Sequence, residues 1–475
     1  MKRIQKTIAF LLVALLLLPG CVSQYANKVD KEPTAAPTQQ PATAAPAPTE
    51  APAQQTEAKP TEQPTEAPTE APAPTEEPMA REKQTLQVWY AVSGTSGEKF
   101  TALSKAFDDQ SDLVDLELSY SGGSADTATK VSAALLTNTQ PDVALMYAGP
   151  LYTGGRNDYA MAELVKRAEY DVDDIFPGML DYCTYMGQGI CAVPFSISTQ
   201  VMYYNKTLLE KAGVDMTNPP KTWQEFYDLC ADLLVKLGGE GKDFTAFDVS
   251  DAPWLFKSML KQNGCEIVVQ GEDGKIKPVY NDAAALEVTD FWYSLVTSGI
   301  MAAGEHDNAE NRFLSGNCAF IAATSNRISR WRGATEFELG AIEMPYFKNQ
   351  SLALGGNVMV ILTDDPQKVE AAWEYVSYLT TAENNAEFAL ATGYLPIRKS
   401  ELNNPDIQKA LSENALYSIA FKQLDYTFAY THFEQMGTMD SLIRNMLNKL
   451  EKNRGTSQDL LDKAAKDLKS EIDEG

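Results

Sequence analysis

Beyond residue 84 the apolar residues recur with two alternating periods. Residues 85–90 read as a short strand. Phe100, Leu103 and Phe107 then return at helical spacing, which predicts a helix over residues 97–109. Val114, Leu116, Leu118 and Tyr120 alternate with polar residues, as a half-buried strand requires. A helix over residues 126–137 and an apolar strand over 142–147 follow. Strand–helix–strand repeats of this kind predict an α/β fold with a mostly parallel sheet and helices on both faces.

Several later helices announce their own ends. Thr222-Trp-Gln-Glu225 is a capping box placed directly after two prolines. Asn281 or Asp282 opens a helix that passes through Phe291 and Leu295 and stops at Gly299. Asp365 can cap a helix with Pro366 at its first position, and Val369, Ala372, Trp373, Val376 and Leu379 form the stripe it would bury. Another helix runs from about residue 382 to Gly393. The terminal stretch 439–468 is amphipathic and breaks near Gly455.

The first residues follow neither period. Lys2, Arg3 and Lys6 precede an apolar run over residues 8–18, then Pro19, Gly20 and Cys21. Eleven residues rise only ~17 Å as a helix, about half a bilayer core, so the run predicts a signal peptide over residues 1–20. Leu18-Pro-Gly-Cys21 resembles a bacterial lipobox, which implies a diacylated Cys21. Two acyl chains suffice for stable attachment to a membrane surface. Residues 21–84 are rich in Pro, Thr, Ala and Glu, with Pro-Thr-Glu-Ala-Pro or a close variant beginning at Pro48, Pro60, Pro64, Pro68 and Pro74. Such a segment has too little apolar surface to offset chain entropy, and a disordered tether is the expectation. Its reach lies between ~45 Å as a coil and ~190 Å as a polyproline helix.

What remains is longer than one core usually serves, so two lobes are expected. The chain of 475 residues carries a net charge of −25, almost all of it beyond the tether. So acidic a surface repels nucleic acid and anionic membrane. Five cysteines lie beyond Cys21: Cys183, Cys191, Cys230, Cys265 and Cys318. Cys183 and Cys191 flank what reads as a hairpin turn and could pair, although small buried free thiols are the expectation. No Cys-x-x-Cys pair exists and only His306 and His432 are present, so neither a metal nor another cofactor is expected. Neither histidine lies in a catalytic motif, and there is no Gly-x-Ser-x-Gly elbow and no Walker A loop. Acidic pairs such as Asp173-Asp174 leave a secreted, wall-associated carbohydrate-active hydrolase open by composition, but none is singled out.

One run carries more than its letters. Ala192-Val-Pro-Phe-Ser-Ile-Ser-Thr-Gln-Val-Met-Tyr-Tyr-Asn-Lys206, with Leu208-Leu-Glu-Lys-Ala-Gly213 and Pro219-Pro-Lys-Thr-Trp-Gln-Glu225, resembles the crossover region of ABC-transporter extracellular solute-binding proteins of the carbohydrate family. Phe313-Leu-Ser-Gly-Asn-Cys-Ala-Phe320 with Ala323-Thr-Ser-Asn326, then Leu354-Gly-Gly356 and Gly393-Tyr-Leu-Pro-Ile397, resemble later segments in the family's order. The resemblance implies a two-lobe periplasmic-binding-protein-like fold with a ligand cleft between the lobes and three crossover segments. Lobe one would hold residues 85–195 and 327–378, and lobe two residues 196–326 and 379–475. The implied protein is a monomer without enzymatic activity, lipid-anchored on the extracellular face of the bacterial membrane. It would capture a carbohydrate or polyol for the membrane permease subunits of an ABC transporter, or feed a sensor kinase instead.

Sugar binding needs flat aromatic faces for C–H surfaces and short polar groups for hydroxyls. Tyr120-Ser-Gly-Gly-Ser124 offers glycines and a helix N-terminus to a ligand, with Ser124 at the turn. The resemblance adds Ser198 in the first crossover, Trp254 as a stacking ring, Ser325 and Asn326, Gly356 for close backbone approach, and Tyr394. Trp89, Ser93, Tyr147 and Trp331 are weaker candidates. The motifs come nearest to the glycerol-3-phosphate-binding branch, which implies a late arginine for the phosphate. The corresponding stretch here, Thr431-His-Phe-Glu-Gln-Met-Gly437, has none, so a neutral saccharide or polyol is expected.

Overall fold

The computed structural model describes residues 82–148, 161–185, 189–238, 244–272, 274–304, 306–430 and 432–474. The proposed signal peptide, Cys21 and nearly all of the tether lie outside these residues. Two sheets organise the rest. In the first, the strands stand in the order Val114–Tyr120, Gln84–Tyr90, Val143–Tyr147, Gly355–Ile361, Val193–Ser198. The first three are mutually parallel, and Gly355–Ile361 runs antiparallel to both its neighbours. In the second, the order is Leu339–Ile342, Gln200–Asn205, Cys318–Thr324, Thr245–Val249, and only the last two are parallel. The expectation of a mostly parallel sheet is thus corrected to two mixed sheets. Each receives a strand from a chain that has just crossed from the other, and such a strand enters from the opposite end.

Burial follows position in the sheet. Val143, Ala144, Leu145 and Met146 are fully buried, as a central strand covered on both faces demands. The edge strand Val114–Tyr120 alternates instead, and its last residue, Tyr120, is half exposed. The helices start and stop where their caps predict. Thr222 Oγ1 accepts from Glu225 N at 3.2 Å while the Glu225 carboxylate accepts from Thr222 N at 3.1 Å, which closes the capping box of Trp223–Leu237. Asp282 caps Ala283–Thr297, Asp365 caps Pro366–Leu379, and Gly393 ends Ala382–Thr392. The terminal stretch is two helices, Met436–Glu451 and Ser457–Glu474, separated around Gly455.

The chain passes between the sheets three times. It first leaves at Ser198 and enters the second sheet at Gln200, with Thr199 between them. It returns between Ile342 and Gly355, and it leaves again between helix Ala382–Thr392 and helix Met436–Glu451. The expected lobe boundaries differ from this in two places. Leu339–Ile342, expected with lobe one, pairs with Gln200–Asn205 of the second sheet. Helix Ala382–Thr392, expected with lobe two, packs against helix Gly94–Gln110 of the first. Between them, the short helix Arg327–Trp331 is seated at the boundary. Trp331 packs on Tyr203 and Phe313, and Ser329 Oγ donates to Thr392 O at 2.7 Å.

One buried glutamine ties the passages together. Gln423 Nε2 donates to Gln200 O at 2.8 Å, and its Oε1 accepts from Met344 N at 2.8 Å. Ser258 Oγ continues the network, donating to Gln200 Oε1 at 3.0 Å and accepting from Ala353 N at 3.1 Å. Cys183, Cys191, Cys230, Cys265 and Cys318 are all buried free thiols, although Cys191 N donates to Cys183 O at 2.9 Å across the hairpin.

Candidate ligand-binding cleft

The carboxyl ends of the parallel strands point both lobes at a common seam. Tyr147 ends the central strand of the first sheet. Asp251 and Trp254 follow the end of Thr245–Val249 in the second, and Ser325 and Asn326 follow the end of its parallel neighbour Cys318–Thr324. The lobes touch where Trp254 of the second lies against Gly355 of the first, and beside this seam burial raises the Tyr147 hydroxyl, with the charges of Asp440 and Asp251 adding to the rise. Open α/β sheets place ligands outside these strand ends.

Trp254 spans the seam. Asp251 Oδ1 caps its helix by accepting from Trp254 N at 3.3 Å. The indole Nε1 donates to Ala353 O at 3.1 Å, on the returning passage. The ring lies so close over Gly355 that an added Cβ would stand 2.9 Å from Trp254 Cζ2. The indole is left half-buried, with its nitrogen satisfied. Ser198 is buried and paired with Gly355. Ser325 N donates to Thr199 O at 2.8 Å, while Ser325 Oγ, Thr199 Oγ1 and Asn326 Oδ1 are buried without a hydrogen-bond partner. Buried polar atoms of this kind call for a partner. Tyr394 stacks on Phe388 with 5.7 Å between ring centres, and its hydroxyl reaches Asn326 and Ser196.

Other expected positions lie differently. Gly356 is needed by the backbone itself. Its φ is +110°, and a Cβ there would sit 2.0 Å from Ser196 O. Its carbonyl accepts from Tyr182 Oη at 3.2 Å. Ser124 is the first residue of helix Ser124–Thr137, and the Asp126 carboxylate already accepts from Gly123 N at 3.3 Å at that helix's start. Trp331 is fully buried between Tyr203 and Phe313 and serves the core. Trp89 is half-buried on its strand, and Ser93 is exposed at the N-cap of helix Gly94–Gln110 without capping it.

Residues that sequence reasoning passed over complete the seam. Lys257 lies one turn beyond Trp254, with a side chain only 3% exposed, and pairs with Asp440 of helix Met436–Glu451. The Tyr430 ring lies 4.4 Å from its ammonium. Burial holds the hydroxyls of Tyr147, Tyr182 and Tyr430 well above the usual tyrosine value, and Asp440 adds to this. They stay protonated, and those of Tyr147 and Tyr430 can donate to a ligand oxygen, whereas Tyr182 Oη already donates to Gly356 O. Burial, helped by the nearby Lys257 charge, pushes His432 down to about 4, so its imidazole is neutral at physiological pH. The signal for Lys257 was its i+3 spacing from Trp254. Asp440 had none, since the pairing spans 183 residues.

Comparison with known proteins agrees with this geometry. In Escherichia coli O1:K1, the sn-glycerol-3-phosphate-binding periplasmic protein UgpB is 25% identical over 367 residues, covering 73% of this chain and 81% of that protein. Two solved structures share the fold at a TM-score of 0.71. The cyclic alpha-maltosyl-1,6-maltose binding protein from Arthrobacter globiformis is 20% identical, covering 83% of this chain and 100% of its own. UgpB from Mycobacterium tuberculosis in complex with glycerophosphocholine is 22% identical, covering 82% and 99%. Residues 102–412 match the family model described as bacterial extracellular solute-binding protein, and the chain belongs to that family.

Proposed function

We propose that this protein captures a carbohydrate or polyol between its two lobes and delivers it to the membrane permease of an ABC transporter. A lipid on Cys21 and the Pro/Thr/Glu-rich segment hold it at the outer face of the bacterial membrane. The protein itself makes and breaks no bond of the solute. One observation carries the reading. At the facing strand ends a half-buried indole lies against Gly355, the strand partner of Ser198, and on the adjoining crossover segments Thr199 Oγ1, Ser325 Oγ and Asn326 Oδ1 are buried without a hydrogen-bond partner. A flat apolar face beside short polar groups matches the two surfaces of a sugar ring.

In this reading Trp254 covers the C–H face. Ser198, Ser325, Asn326 and Tyr394 take hydroxyls, and Ser124 reaches the solute from the turn after the edge strand of lobe one. Gly356 holds the returning strand close enough to the first crossover for both to meet the ligand. A thermal-shift screen of the purified protein against saccharides and polyols tests it, because a ligand that binds only the native state raises the melting temperature. A true ligand should also give a smaller shift in Trp254→Ala. A library-wide absence of any shift, repeated by calorimetry, would end the proposal.

A further inference from the structure

Lys257 and Trp254 are three residues apart on one helix, so their side chains share a face. The Lys257 ammonium is the buried cation of the seam, yet it is already engaged. Asp440 pairs with it, and 28% of the Asp440 side chain is exposed while only 3% of Lys257 is. The Tyr430 ring covers it from another side. The wider set is balanced, with Asp251 lying 3.7 Å from Arg444 and both about half exposed. An entering anion therefore meets the Asp440 carboxylate before it can reach the ammonium. Displacing that carboxylate would strand a second charge in a poorly hydrated place. An uncharged hydroxyl has no such conflict, because a carboxylate that holds a lysine through one oxygen can still accept from a hydroxyl.

We propose that Asp440 determines the ligand class of this cleft: it neutralises Lys257 and so admits uncharged, hydroxyl-bearing solutes while excluding phosphate esters. The inference rests on the capture reading and narrows it. It also separates this chain from relatives named for glycerol 3-phosphate.

Calorimetric titration of the mature protein tests it, with a neutral compound taken from the thermal-shift screen and with glycerol 3-phosphate as the anionic probe. Wild type should prefer the neutral compound. Asp440→Asn keeps the side-chain size and frees the ammonium, so affinity for glycerol 3-phosphate should rise by about tenfold or more, in a salt-sensitive manner. Adding Lys257→Met should erase that gain, whereas Asp440→Glu should keep the wild-type preference. Asp440→Ser serves if the amide variant does not fold. Wild type binding glycerol 3-phosphate as tightly as the neutral compound would overturn the filter and leave solute capture standing. So would a folded Asp440 variant with no gain. Failure of wild type to bind either class would instead remove the capture reading itself, and the filter with it.

Discussion

Gly356 illustrates how one residue type can be demanded twice. Its sequence context suggested backbone close to a ligand, and the structure shows backbone close to backbone: φ +110° and a neighbouring carbonyl where a Cβ would stand. Gly356→Ala should cost at least about 2 kcal/mol, because the strained φ and the overlap with Ser196 O add, and neither can relax through a side chain. The urea midpoint measures it, and an unchanged midpoint would show that the bulge between Asn357 and Val358 absorbs the change. Trp254 offers the contrasting case. Trp254→Phe keeps a flat ring and loses the bond to Ala353 O, whereas Trp254→Ala loses both. Under the capture reading, phenylalanine should weaken sugar binding modestly and alanine by about tenfold or more, read by titration. Equal losses would mean that the hydrogen bond, not the ring, matters.

A buried relay joins elements of the second lobe and gives them a pH signature. Arg312 pairs with Asp248, and His306 lies between Asp248 at 3.5 Å and Glu451 at 3.0 Å. Glu451 also accepts from Trp292 Nε1 at 2.8 Å and from Gly304 N at 2.6 Å, so the end of helix Met436–Glu451 is fastened to helix Ala283–Thr297 and the loop after it. Burial alone would lower the imidazole, but the two carboxylates overcome it and hold His306 up to about 9. A folded value above the unfolded one stabilises fully below pH 6.5 and is lost as pH rises through 9, by about 3 kcal/mol in all. The melting temperature should therefore fall between pH 6.5 and 9, and His306→Gln should flatten that fall. An identical slope in the variant would refute the assignment. The same elements show what was legible in the sequence. Caps and periodicity are local, so Thr222, Asp282, Asp365 and Gly393 marked helix ends correctly. Leu339–Ile342 is a four-residue strand whose partner lies far back in the chain, and nothing local assigns it to a sheet. Asp440 reads as one more charge on the amphipathic terminal stretch, Lys257 carries no mark beyond its spacing from Trp254, and only tertiary pairing reveals the buried ion pair.

Across the whole molecule the consequence of three passages is a joint. The bonds of Gln423 to Gln200 and Met344, and of Ser258 to Gln200 and Ala353, bind the crossings to one another. Motion of one lobe against the other can then be concentrated in the few backbone torsions beside this network, the behaviour of a hinge. Gln423 is fully buried, so Gln423→Ala leaves a carbonyl and an amide of two different passages without partners, at a cost of about 2 kcal/mol. Under the capture reading, solute would shift the balance between open and closed forms only through contacts that differ between them, which requires groups from both lobes. In that reading Tyr147 and Tyr182 on one side and Trp254 and Asp440 on the other would supply those groups. Saturating ligand should reduce the radius of gyration in X-ray scattering and change tryptophan fluorescence, since Trp254 sits at the seam. Trp254→Phe should remove most of the fluorescence change while leaving the contraction. Scattering curves that superimpose with and without a ligand proven to bind would exclude closure, and the seam would then act as a fixed pocket.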